Sequence, residues 1–85
     1  MSRQFELVTQ SELSAILTAE LQKIEDCAGS VITVKYRLQE PDDEGCNWSD
    51  DVSIRVGPKA SSSYVIPHVE GIVRRARARY NLVEG

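Results

Sequence analysis

The sequence predicts an α+β domain in which two helices pack on one face of a small antiparallel sheet, in the order helix, strand, strand, helix. Apolar residues recur at three- and four-residue steps near both ends of the chain, and strictly alternate with polar residues in between. A chain of 85 residues is too short to bury two separate cores. We therefore expect residues 1–85 to form a single domain.

Three features of the sequence predict the first helix: a capping box at its start, an apolar stripe along it and a glycine after its end. Thr9 and Glu12 have the spacing of a capping box, in which each side chain accepts a hydrogen bond from the other residue's backbone amide. Gly29 is suited to the left-handed conformation that ends many helices. The pattern predicts a helix over about residues 12–28, with a buried stripe of Leu13, Ile16, Leu17, Leu21 and Ile24.

Two alternating segments follow and predict two strands. In the first, the inward residues are Ile32, Val34, Tyr36 and Leu38, and in the second they are Val52, Ile54 and Val56. The connection over residues 40–50 is too long for a tight hairpin but adequate for an antiparallel pair with an extended loop. Phe5 and Leu7 leave open a further short strand at the N-terminus.

The last helix is predicted to follow the serines at positions 61–63, any of which could cap it. Capping by Ser63 would place Pro67 in the first turn, where a missing amide costs little. The predicted buried stripe is Ile66, Val69, Ile72, Val73, Ala76 and Tyr80.

Charge reverses along the chain, whose net charge is −3. Residues 1–51 carry eleven acidic and four basic side chains, whereas residues 52–85 carry two acidic and six basic ones. This asymmetry predicts two electrically different surfaces and favours a role in contact over catalysis. The basic surface centres on Arg74, Arg75, Arg77 and Arg79, whose guanidinium groups can bind carboxylate or phosphate bidentately. The alternative is a solvated helix face that complements the helix dipole.

The acidic loop over residues 40–51 is the second candidate contact region. Trp48 is predicted to act as an aromatic contact anchor, with Asp42 and Asp43 beside it, because tryptophan is enriched among binding hot spots. One alternative is a solvated acidic loop with Trp48 folded back over the sheet. Another is a calcium-binding loop, although the flanking segments read as strands and Asp51 replaces the usual final glutamate.

Signals for catalysis, metals and membranes are missing from the sequence. No nucleophile-elbow or phosphate-cradling glycine pattern occurs, and Cys27, Cys46 and His68 lack the paired spacing of a zinc site. We therefore expect no catalytic residue, no cofactor and no metal. The N-terminus lacks the apolar run of a signal peptide, and no stretch has the roughly 20 apolar residues that span a bilayer. A cytoplasmic location, reduced thiols and no membrane partner are the resulting expectations.

Two segments resemble small uncharacterised proteins of temperate phages and prophages. They are Glu44-Gly45-Cys46-Asn47-Trp48-Ser49 and Arg77-Ala78-Arg79-Tyr80-Asn81-Leu82. The resemblance implies an accessory protein that binds a host or phage component, such as an inhibitor of host defence or regulation.

The predicted function is therefore that of a small non-enzymatic protein that docks on a protein partner. The alternative is nucleic-acid binding by the same arginines, assisted by Lys35, Arg37, Arg55 and Lys59. A third possibility is self-association into a homodimer through a strand edge or the open sheet face.

Overall fold

Two helices and four short strands form the regular structure of the described chain. The computed structural model describes residues 5–35, 40–41, 43 and 45–83. The strands are β1 Glu6–Val8, β2 Val31–Thr33, β3 Ser53–Arg55 and β4 Tyr80–Leu82, and the helices are α1 Gln10–Gln22 and α2 Ser62–Arg77. This confirms the α+β class and the N-terminal strand that the sequence left open.

The strands form two separate pairs, which corrects the predicted single antiparallel sheet. β2 and β3 pair antiparallel, as expected, with Ile32 opposite Ile54. β4 was not predicted, and it pairs parallel with β1, with Leu7 opposite Asn81. A parallel pair requires a long crossover. Here the crossover is the whole of the chain between the first and last strands, so the pairing of β1 with β4 closes the fold.

Helix α1 begins as predicted and ends earlier than predicted. Thr9 Oγ1 accepts from the Glu12 amide at 3.2 Å, and Glu12 Oε1 accepts from the Thr9 amide at 3.1 Å, which completes the capping box. The helix ends at Gln22 because Ile24 adopts an extended conformation, with φ −92° and ψ 118°. A 3-10 turn over Glu25–Cys27 follows, and Gly29 takes the expected left-handed conformation with φ 79°.

Helix α2 begins after Ser61, one of the three serines predicted as caps, and ends before Tyr80 of its predicted stripe. Ser61 is its N-cap, so Pro67 is the sixth residue of the helix and not part of the first turn. The proline leaves the Ser63 carbonyl without its helical donor, and the exposed position of Ser63 lets water take that role. The core-facing residue near the start is Val65, whereas Ile66 is 45% exposed. The helix stops at Arg77, which places Tyr80 in β4 instead of on the buried stripe.

The core lies between the two helices and the inner face of β2. Burial raises the pKa of the Cys27 thiol, with a smaller contribution from the Asp26 carboxylate. Cys27 therefore stays protonated and packs as a small apolar group. The core side chains come from both helices, from β1, β2 and β4, and from the loops: Val8, Leu13, Leu17, Leu21, Cys27, Ile32, Val34, Cys46, Trp48, Val65, Val69, Ile72, Val73, Ala76 and Leu82.

A ladder of polar side chains on α1 binds the outer edge of β2. Thr18 Oγ1 accepts from the Ile32 amide and donates to the Ile32 carbonyl, both at 3.0 Å. Ser14 Oγ accepts from the Val34 amide at 2.9 Å. Gln10 Nε2 donates to the Val34 carbonyl at 2.6 Å, and Gln22 Nε2 donates to the Ser30 carbonyl at 3.2 Å. These helix residues, spaced four apart, take the place of a third strand.

Gly57 marks the point where the chain after β3 crosses the chain before β2. A Cβ at this position would collide with the Ala28 carbonyl oxygen, so only glycine fits. Ser30, a fully buried polar residue, accepts a hydrogen bond from the Gly57 amide through Oγ at 3.0 Å. The crossing therefore fixes where α2 begins relative to β2.

Replacing Thr18 with valine tests the ladder, because valine has nearly the same shape but cannot hydrogen-bond. The Ile32 amide and carbonyl would lose their partner, and we expect unfolding free energy to fall by about 2 kcal/mol or more in urea titrations. Thr33→Val is the matched control, since Thr33 is exposed on the outer face of β2 and should change stability by less than about 0.5 kcal/mol. Equal losses in the two variants would contradict the role assigned to the ladder.

Candidate protein-docking surface

The four predicted arginines do not form one surface. Arg74 and Arg77 line a groove of about 580 Å³ between α2 and β3. Arg75 and Arg79 line a smaller groove of about 200 Å³ between α2 and α1. Because α2 ends at Arg77, Arg79 lies beyond the helix. The end of α2 thus carries positive charge on two sides that face different neighbours.

Arg77 is committed to the interior of the fold. Its side chain is half-buried, and Nε donates to the Trp48 carbonyl at 3.2 Å. This bond ties the last turn of α2 to the loop that precedes β3. Arg77 therefore supports the fold, and its role as a docking residue is correspondingly reduced.

Arg79 bridges the ends of the parallel strand pair. Its Nη2 lies 3.2 Å from Glu6 Oε1, and its guanidinium carbon lies 5.3 Å from the centre of the Tyr80 ring. The hydrogen bond to Glu6 is the largest of the influences that raise the pKa of Arg79. Both groups are mostly exposed, so the pair contributes little stability. Its carboxylate partner nevertheless occupies the guanidinium that a docking partner would need.

Arg74 and Arg75 are the two arginines of the set that remain available. Both are exposed, and within the described ranges neither makes an ion pair. They are adjacent on the last turn of α2, so one points toward the β3 groove and the other toward the α1 groove. Arg74 and Arg75 form what we call the outward ridge of α2, and a partner that lies along it would contact both.

The larger groove combines an apolar floor with a charged end. Val69 and Val73 of α2 face Val52 and Ile54 across it, and Ile66 borders it with a partly exposed side chain. The charged residues at its margin are Asp50, Asp51, Glu70, Arg74 and Arg77. The acidic segment before β3 and the basic end of α2 therefore meet at one groove, although they are far apart in the sequence.

Trp48 is buried, which corrects its predicted role as a projecting contact anchor. Its side chain is 0% exposed, and Nε1 donates to the Tyr80 carbonyl at 2.8 Å. Burial is favoured because the ring packs against apolar neighbours while its single N–H group finds an acceptor on β4. The alternative in which Trp48 folds back onto the protein describes the structure.

The acidic loop contributes less to the surface than the sequence suggested. Asp43 is exposed in a turn, and Asp42 lies outside the described residues. Asp51 Oδ2 accepts from Lys35 Nζ at 3.0 Å, so part of the loop's charge is neutralised across the β2–β3 pair. Among the described residues, Asp43 makes no ion pair with the arginines.

Asn47 and Asn81 hold β4 in place and were not singled out in the sequence. Asn47 Oδ1 accepts from the Leu82 amide at 2.8 Å, and Asn47 Nδ2 donates to the Leu82 carbonyl at 2.9 Å. Asn81 Nδ2 donates to the Gly45 carbonyl at 2.9 Å, and its Oδ1 accepts from the Asn47 amide at 3.1 Å. A side-chain amide has the same donor and acceptor as a peptide group, so Asn47 substitutes for a neighbouring strand.

Comparisons with known proteins leave the family open. No family model, curated protein or solved structure matches the chain. The phage resemblance therefore stays a prediction, although its two segments, around Asn47 and Asn81, are in direct contact. Neither helix is long and apolar enough to cross a membrane, within the part of the chain that the structure describes.

Fluorescence quenching tests the burial of Trp48, which is the chain's single tryptophan. We expect acrylamide to quench the native protein far less than the same protein unfolded in urea, because the indole is enclosed. Trp48→Phe should lower the unfolding free energy by about 1–3 kcal/mol, since the Tyr80 carbonyl loses its donor. Equal quenching of the native and unfolded chains would show that the indole is exposed after all.

Proposed function

We propose that this chain is a small non-enzymatic binding protein that docks on a protein partner along the outward ridge of α2. Acidic side chains of the partner contact Arg74 and Arg75. The observation that carries the proposal is that these two adjacent guanidinium groups are exposed and make no ion pair within the described residues. Guanidinium forks match carboxylates in shape and charge, and a rigid helix presents them at a small ordering cost.

The apolar surface near the arginines supports a protein partner. Tyr64 and Ile66 on the first half of α2 are 61% and 45% exposed. Protein interfaces commonly join an apolar centre, rich in aromatic residues and arginine, to a polar rim. The outward side of α2 carries an aromatic group, Tyr64, near its start and positive charge near its end, and Ile66 borders the adjacent groove beside β3.

Nucleic-acid binding by the same residues is the weaker candidate. Lys35 is paired with Asp51, and Arg79 is paired with Glu6, so two of the cations assigned to that function are already neutralised. The net charge of −3 further opposes the approach of a polyanion. Two adjacent arginines suit a local carboxylate cluster better than a long phosphate backbone.

The resemblance to phage proteins gives the proposed partner a biological setting. A small phage accessory protein acts by binding a host or phage component, and inhibition of host defence or regulation is the role that the resemblance implies. We take that role as part of the proposal. A bacterial lysate is accordingly the first place to look for the partner.

Charge reversal at the ridge tests the proposed function. The wild-type chain and the variant Arg74→Glu/Arg75→Glu are immobilised and exposed to a bacterial lysate, with and without nuclease, and captured proteins are quantified by mass spectrometry. We expect the variant to retain at least about tenfold less of the specific partner, because a lost charge-assisted hydrogen bond costs about 1.5–3 kcal/mol. Nuclease treatment should leave the capture unchanged.

The control is Lys23→Glu/Lys59→Glu, which changes the net charge by the same amount at exposed positions, of which Lys23 pairs with Glu20 at 3.0 Å. It should capture the partner as the wild type does. Capture that survives reversal of Arg74 and Arg75, or that both double variants reduce equally, contradicts the assignment. Capture that disappears with nuclease would instead favour the nucleic-acid alternative.

A further inference from the structure

Two of the four outer strand edges are closed by side chains. The α1 ladder occupies the edge of β2, and Asn47 with Trp48 occupies the edge of β4. The other edges belong to β1 and β3. An uncovered edge presents unpaired amide and carbonyl groups that can accept another strand.

The backbone of Ile54 faces outward from the edge of β3. In an antiparallel pair, successive residues direct their amide and carbonyl groups alternately toward the partner and away from it. Ile32 gives both groups to Thr18, so the opposed pair of Ile32 and Ile54 is not hydrogen-bonded. The amide and carbonyl of Ile54 consequently point away from β2, and among the described residues they have no partner.

The side chains around Ile54 are symmetric about that residue. Val52, Ile54 and Val56 are half-buried and lie on the inner face, whereas Ser53 and Arg55 are exposed on the outer face. An antiparallel pairing centred on Ile54 sets each apolar residue opposite another apolar residue. Such self-complementarity is what a twofold interface requires.

We propose that β3 pairs antiparallel with the β3 strand of a second copy of this chain, centred on Ile54, to form a continuous four-stranded sheet. The two Ile54 residues exchange hydrogen bonds. Each Val56 amide donates to the Val52 carbonyl of the other copy. The Val52 amide already donates to the Asp50 carbonyl at 3.0 Å, so every amide at this end of the pairing has an acceptor.

Charges on the outer face fit this register. Ser53 of one copy lies directly opposite Arg55 of the second copy, in a non-hydrogen-bonded pair where side chains approach most closely. The diagonal neighbours of Arg55 on the second copy are Asp51, which also pairs with Lys35 of its own chain, and Arg55. No two charges of the same sign are directly opposed.

The apolar groove beside β3 is the surface that the second copy covers. Val52 and Ile54 line that groove and are only partly buried in the single chain. The inner-face residues of the added strand extend the same apolar layer toward Ile66, which is 45% exposed. Dimerisation therefore buries apolar surface that the helix α2 leaves uncovered.

The free edge of β1 offers no comparable fit. A pairing centred on Leu7 would set Glu6 opposite Val8 of the second copy, and Val8 is buried whereas Glu6 is exposed and paired with Arg79. The proposed dimer therefore forms through β3 alone. Ile66 and Arg74 border the groove that the second copy covers, whereas Tyr64 and Arg75 of the proposed partner-binding surface lie outside it.

The test measures molar mass by light scattering over a concentration series from about 1 μM to about 1 mM. The wild-type chain should rise from 9.5 kDa toward twice that value. Ser53→Arg should raise the dimer dissociation constant roughly tenfold, because it sets two pairs of like charges against Arg55 of the other copy. Ser53→Glu should lower the constant by a similar factor.

A charge swap fixes the register. Ser53→Arg/Arg55→Glu sets opposite charges at positions 53 and 55 wherever these face each other between the copies. It should return the dissociation constant close to the wild-type value. In the single chain both positions are exposed, with Ser53 opposite Thr33 and Arg55 opposite Val31, so circular dichroism should show all variants folded. Net charge alone predicts the reverse order, since added glutamate increases the repulsion between two chains of net charge −3.

Three outcomes would overturn the proposal. The first is a wild-type chain that keeps the monomer mass of 9.5 kDa at about 1 mM. The second is a shift in the same direction for Ser53→Arg and Ser53→Glu, as a pairing centred on Ser53 itself would give. The third is a swapped double variant that dimerises no better than Ser53→Arg.

Discussion

The hydrogen bonds between α1 and the edge of β2 are the constraint on which the rest of this fold depends. Four residues of a helix rise about 6.0 Å, and two residues of a strand advance about 6.6 Å. This near match lets Gln10, Ser14, Thr18 and Gln22 meet backbone groups from Val34 back to Ser30. The helix is thereby fixed antiparallel to β2 and cannot slide by a single residue without losing its partners. Its apolar stripe is then directed at α2 and the core.

The same device recurs at β4, and together the two edges position the end of α2. Asn47 and Trp48 bind the backbone of Tyr80 and Leu82, which holds the last strand extended beside β1. Because β4 begins only a few residues after α2, the last turn of the helix has to stop over the loop that carries Trp48. This geometry places Arg77 in a hydrogen bond with the Trp48 carbonyl and leaves Arg74 and Arg75 facing outward. The sheet edges that receive no such cover are those of β1 and β3.

Periodicity and capping signals in the sequence predicted the elements whose partners are apolar. The alternation around Ile32 and Ile54 and the stripe from Val69 to Ala76 reflect burial of a repeating face. The capping box at Thr9 is a polar signal, but both of its residues are close together in the sequence. What the sequence did not reveal depends on polar contacts between distant segments. Thr18 and Asn47 look like ordinary surface residues, because nothing local indicates which carbonyl they will meet. The end of α2 was missed for the same reason: Arg77 to Leu82 is compatible with a helix until Asn47 and Trp48 hold it extended.

For the candidate site too, the sequence predicted the local features and missed the contacts between distant residues. The sequence identified the arginines by their density, and Arg74 and Arg75 are exposed without an ion pair among the described residues. It could not tell that Arg79 meets Glu6 or that Arg77 meets Trp48, since those partners lie 73 and 29 residues away. Trp48 was assigned to the surface because a single tryptophan in a polar loop has no local apolar pattern around it. Its burial depends on an acceptor, the Tyr80 carbonyl, that exists only once β4 has formed.

Hydrogen exchange of individual backbone amides, followed by NMR at a concentration where the chain is monomeric, tests most directly whether side chains close one edge of the β2–β3 pair and leave the other open. The amides of Ile32 and Val34, which donate only to Thr18 and Ser14 hydroxyls, should exchange as slowly as amides bonded between strands. The amide of Ile54 should exchange rapidly. Fast exchange at Ile32 and Val34, or equal exchange at Ile32 and Ile54, would contradict this account.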